Sequence, residues 1–147
     1  MAKQKSSGAG IGTGFLGFVI IAGDLAALWL NYFTHAKVNL LQANIISAVG
    51  IFPRGLPWVL PSAQLAYPII LAWMLIVMLC GVGILSQNSL ARFVFVILCM
   101  AHMITFIWAG IIMMSAGSGS YSFGTYFYVL VFPLLYIFLL ARPDAKS

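Results

Sequence analysis

Two ionisable side chains, Asp24 and His102, lie deep inside apolar stretches of the chain, and any chemistry performed there must run through them. A carboxylate and an imidazole are groups that accept and donate protons readily. Held close together, they suit a proton or ion relay, or the polar end of a quinone-like ligand site. A simpler role is an interhelical hydrogen bond that fixes how two helices pack. A water-filled path needs further polar groups along the same axis, and Thr13, Asn31 and Thr105 are the obvious ones. That sparse lining favours the packing role as the expectation.

His102 opens two further readings. Histidines within spans can ligate haem, but His35 falls beyond the outer end of the first apolar stretch. A second axial ligand would have to come from another subunit. Cys99 and His102 share a helix face at i, i+3, and with Asp24 would make three metal ligands, yet no repeated ligand motif accompanies them. The expectation is a chain with no cofactor or metal of its own, with haem or quinone at His102 as the alternative. Cys80 and Cys99 form no C-x-x-C and read as small buried hydrophobes. Gly12-Thr13-Gly14-Phe15-Leu16-Gly17 matches G-x-G-x-x-G, but no strand precedes it and it opens an apolar helix, so it is no nucleotide fingerprint. No Ser/His/Asp set, carboxylate pair or H-E-x-x-H motif is present, and the expectation is that the chain is not an enzyme.

The elements that would hold these groups are set by composition. The chain has 147 residues, 63% of them hydrophobic and 6% charged. With a mean hydropathy of +1.10, it is too apolar for a soluble domain. The expected fold is all-α and integral to the membrane: a single polytopic domain over 1–147, built as a four-transmembrane-helix bundle. Spans are expected at about 11–33, 65–85, 93–114 and 125–141, since about 20 apolar residues at a 1.5 Å rise cross the hydrocarbon core. Lys3 and Lys5 before an apolar run suggest a signal peptide, but the run is long and contains an acid, so it is kept as span one.

On a helical wheel Gly10, Gly14, Gly17, Asp24, Ala27 and Asn31 form one small-and-polar stripe, with Phe15, Phe18, Leu25, Trp29 and Phe33 lying away from it. In span three Cys99, His102, Thr105 and Ala109 form a second such stripe. Small residues let backbones approach and polar ones need partners in lipid, so both stripes are expected to face other helices. Between spans one and two, the loop 34–64 carries Val38, Leu41, Ile45 and Val49 at helical spacing, opposite Asn39, Gln42 and Ser47. A short amphipathic helix lying in the membrane interface is the expected result.

Tyr32, Arg54, Trp58 and Arg92 suit interfacial anchors, and Tyr121, Tyr126, Phe127 and Tyr128 an aromatic belt. Pro68 is expected in the first turn of span two, and Pro133 to kink span four. The net charge of +5 comes from cations at helix ends, where they meet lipid phosphate rather than nucleic acid. Placing Lys3, Lys5, Arg92, Arg142 and Lys146 inside, against Lys37 and Arg54 outside, makes both termini cytoplasmic. Sparse polar groups, almost no extramembrane chain and apolar surface lead to a functional expectation. The chain is read as a non-catalytic accessory subunit that packs against other integral membrane proteins or a second copy and contacts lipids. A small transporter, channel or proton-relay component using Asp24 and His102 is the alternative.

Overall fold

The structure, a computed structural model, describes residues 7–30, 40–60, 62–119 and 122–141. Over these residues the chain is helical, with α1 Ser7–Leu28, α2 Leu40–Val49, the single turn α3 Leu56–Val59, α4 Ala63–Leu85, α5 Ser89–Ser115 and α6 Phe123–Leu140. Three of these helices are long and apolar enough to cross a membrane: α4 from Gln64, α5 and α6. Gly12–Leu28 of α1 is a shorter apolar stretch. Each of the three begins at a polar cap. Ser62 Oγ accepts from the Leu65 amide, Asn88 Oδ1 from those of Leu90 and Ala91, and Ser122 Oγ from that of Thr125. These oxygens satisfy amides that the first helical turn leaves without partners.

The small residues of α1 decide its neighbour. A methyl group on Gly17 would lie 2.7 Å from Gly81 O and from Leu85 N of α4. Ten residues further along, Ala27 shares an apolar cluster with Ala66, Ile70 and Met74. Thus α1 and α4 run antiparallel and side by side along most of their length, forming the most extensive interface in the molecule. The turn Ser86–Asn88 brings α5 back along α4, and α6 packs along α5.

Helix α2 does not lie flat at the surface. It packs on α6 and α1, and its polar face turns inward: Asn44 and Ser47 are buried whereas Gln42 is exposed. The chain then reverses through Gly50–Gly55 and continues as α3, which packs on α5 and α4. The expected interfacial helix is thus one arm of a segment that enters the bundle. Irregular backbone at depth is tolerated where protein covers it, and Ile51, Phe52, Pro53 and Gly55 are all buried.

Helix boundaries also differ from expectation. Helix α1 already starts at Ser7, within the polar leader, and closes with a π turn at Trp29 and Leu30. Because α4 starts at Ala63, Pro68 sits beyond its first turn, exposed on the surface. Helix α6 continues through Pro133 to Leu140, with Pro133 buried.

Candidate functional site

The re-entrant segment 40–60 is held by polar contacts from several sides. Arg54 donates from Nη1 to Asn44 Oδ1 at 2.6 Å, and from Nη2 to Ser47 Oγ at 3.2 Å and Ala43 O at 3.4 Å. These bonds clasp its descending arm to its ascending one. Asn44 in turn donates to Thr125 Oγ1 on α6 at 3.4 Å, and Thr125 Oγ1 lies 2.9 Å from Ser122 Oγ. The expected anchor Arg54 is therefore a half-buried staple within the protein. A planar fork with several donors suits that task better than an ammonium.

The bend itself is fixed by two aromatic side chains. Tyr136 of α6 donates its hydroxyl to Val49 O at 2.8 Å, and Trp73 of α4 donates Nε1 to Ile51 O at 3.0 Å. Thr125, near the start of α6, contacts Asn44, while Tyr136 lies eleven residues further on, or about 16 Å along the helix. The bend therefore sits about three-quarters of the way along α6 and, at Trp73, near the middle of α4. Two glycines permit the approach: a methyl group on Gly23 would lie 2.7 Å from Val49 Cγ1 and 3.1 Å from Gly50 N. On the other side, one on Gly55 would lie 2.7 Å from Thr105 O of α5.

Asp24 and His102 belong to this layer. Asp24 follows Gly23 on α1 and is 0% exposed; His102 on α5 is 1% exposed, its ring centroid 6.4 Å from that of Trp73. Neither Asp24 oxygen and neither His102 ring nitrogen has a hydrogen-bond partner among the described residues. The interhelical Asp24–His102 hydrogen bond that the sequence suggests is accordingly not formed. Helix α1 packs chiefly on α4 and α2, and α5 on α4, α6 and α3, so the two groups approach the bend from different walls.

The other site residues separate by role. Cys99 and Ala109 are wholly buried, with Cys99 in the cluster of Ile20, Ile51, Val77 and Tyr136. Thr105 Oγ1 donates back along its own helix, to Ala101 O at 2.9 Å and His102 O at 3.0 Å. Gly17 is the close-packing glycine of α1, whereas a methyl group on Gly14 would meet nothing within 4 Å. Gly10 is helical, but its surroundings lie outside the description, as do Tyr32, Tyr121 and the side chain of Trp58. Tyr126 stacks edge-on with Phe106 at 5.3 Å and covers Gly110, so it belongs to the bundle interior rather than to a surface belt. Arg92, expected at the surface, is 8% exposed.

No group of three or more metal-ligating side chains forms among the described residues. Sequence reasoning missed Trp73 and Tyr136, whose polar atoms meet the bend; no spacing rule marks an aromatic residue in an apolar helix as a donor to a distant carbonyl. Compared with family models, with curated proteins and with solved structures, the chain matches none.

Proposed function

We propose that this chain is a four-span membrane protein that moves protons through Asp24 and His102 at the bend of its re-entrant segment. The observation that carries the reading is a contrast. Arg54, Asn44, Ser47, Thr125, Trp73 and Tyr136 all spend their polar atoms on protein partners, while the acid and the imidazole at the same bend spend none. Residues kept only for packing would be bonded, because an unsatisfied buried polar group costs about 1–3 kcal/mol. Ionisable groups inside spans face the bundle interior and commonly mark proton or ion pathways. Four spans are the reading because α1 accompanies α4 along most of its length, its apolar part Gly12–Leu28 covering about 25 Å before the closing turn at Trp29 and Leu30.

The test is proton flux into liposomes holding the full chain and a trapped pH-sensitive dye, driven by a potassium diffusion potential. Wild-type vesicles should acidify faster than protein-free ones. Asp24→Asn and His102→Gln should each cut the excess rate by roughly tenfold or more, with an unchanged elution profile in detergent. Wild-type flux equal to that of empty vesicles sinks the reading.

A second reading, an accessory subunit packed against other integral membrane proteins, is favoured by one observation: the α1 surface at Gly12 and Gly14 is open. Gentle extraction should then yield membrane proteins co-migrating in fixed ratio, and a lone monomer would count against it.

A further inference from the structure

At the amino-terminal end of α5, far from its carboxyl-terminal cap at Ala116, the first turn of the helix borders a cavity of about 500 Å³ lined by Gln87, Ser89, Arg92, Phe93, Val96, Leu140 and Ala141. Its walls divide by chemistry. Phe93, Val96 and Leu140 supply an apolar side, and Gln87, Ser89 and Arg92 a polar one. Arg92 is more than nine-tenths buried, and its Nε–H has no hydrogen-bond partner among the described residues. A buried guanidinium with an unused donor is costly unless an anion completes it.

We infer that this cavity binds a phosphate group, held by Arg92 beside the polar side chains of Gln87 and Ser89, with the apolar wall accommodating an acyl chain. A guanidinium fork pairs with phosphate oxygens through parallel charge-assisted bonds. The cavity lies at a helix end next to the short turn between two spans, the level at which lipid headgroups sit. Arg92 is thus more than an anchor at the surface: it is the positive floor of a built pocket. The inference does not draw on Asp24 or His102, so failed proton flux leaves it standing.

The experiment uses the full chain, delipidated in a non-ionic detergent, with binding followed by native mass spectrometry and thermal unfolding. Three probes are added separately: dioleoyl phosphatidylglycerol, dioleoylglycerol with the same chains but no phosphate, and inorganic phosphate. The expected result is one retained phosphatidylglycerol per chain and a raised Tm, with no effect of dioleoylglycerol. Arg92→Gln should weaken binding by about tenfold or more, and Arg92→Lys by less. A response to inorganic phosphate alone supports the phosphate site and assigns it to a soluble anion. Equal retention of dioleoylglycerol and phosphatidylglycerol by the wild type overturns the inference without need of any variant. No response to either phosphate probe also overturns it, as does undiminished binding in a folded Arg92→Gln protein.

Discussion

Ile51 shows how much a single residue contributes to the re-entrant bend. Its φ of +53° places a β-branched side chain in the left-handed region, where glycine is the usual occupant. The hydrogen bonds explain why: Phe52 N–H reaches Ser47 O at 2.9 Å and Ile51 N–H reaches Ala48 O at 3.2 Å, closing α2 with a Schellman-type reversal. The neighbouring glycine, Gly50, is used instead for close approach to α1. Such a conformation costs on the order of 1–3 kcal/mol, and it persists because the Ile51 side chain is completely buried among Ile20, Val77 and Cys99. Removing that side chain leaves a cavity worth about 2–5 kcal/mol, so burial outweighs strain and any truncation should destabilise. The order of truncations is unusual, however. Ile51→Gly releases the strain that Ile51→Ala keeps, so the glycine variant should be the more stable of the two by about 1 kcal/mol. Thermal unfolding in detergent compares them, and an alanine variant more stable than the glycine one would show that the bend is not left-handed at this position. At this scale the sequence was informative about which residues are buried and polar, since Asp24 and His102 stand out in apolar surroundings. It could not tell how they are partnered, because that depends on where a distant bend comes to rest.

At the scale of elements, periodicity located the long helices to within a few residues because each is an apolar run bounded by caps that polar side chains supply. It misplaced α2 for a physical reason. An amphipathic pattern says that one face is polar, but it does not say whether water or protein satisfies that face. Here Arg54, ten residues beyond Asn44, turns back and satisfies it from within. The glycines divide on the same principle, since spacing marks small residues without saying which ones are in contact. A methyl group on Gly50 would lie 2.7 Å from the backbone carbonyl carbon of Gly23 and 3.0 Å from Ala27 Cβ, so the α1 backbone would have to shift. Gly50→Ala should therefore push α2 off α1 and cost about 1–3 kcal/mol or more. Gly14→Ala meets open space and gains helix propensity of about 0.5–1 kcal/mol. The two glycine substitutions should therefore have opposite signs, which unfolding of each variant in the same detergent reads directly. If Gly14→Ala destabilises as strongly as Gly50→Ala, then Gly14 is an occupied interface, and a second chain or another membrane protein covers it.

For the whole molecule, the arrangement of charge and helices makes a prediction about orientation. Helices α4, α5 and α6 alternate direction through short connections, and α1 runs against α4, so the ends of the bundle carry distinct sets of connections. One end has the α4–α5 turn with Arg92 and the cavity below it; the other has the α5–α6 loop and the mouth of the re-entrant segment. Of the two loop cations expected at this second end, Arg54 is drawn inward by Asn44 and Ser47 and presents little charge to the surface. Arg92 is buried as well, so the asymmetry rests on the sequence beside the helix ends: Lys3 and Lys5 precede α1 and Arg142 and Lys146 follow α6, and by the positive-inside rule the end where α1 starts and α6 stops should be cytoplasmic. The native Cys80 and Cys99 are buried, so single cysteines introduced at exposed Gln87 and Ser118 can be labelled against little background. In intact cells expressing the full chain, a membrane-impermeant maleimide should modify Ser118→Cys, and should reach Gln87→Cys only after permeabilisation. The reverse pattern would invert the bundle. Labelling of both from one side would mean that α5 does not cross, although its 27 residues span about 40 Å, more than the hydrocarbon core requires. With the predicted orientation, the re-entrant segment opens to the outside, and its bend lies inside the bundle between the walls formed by α1, which holds Asp24, and α5, which holds His102.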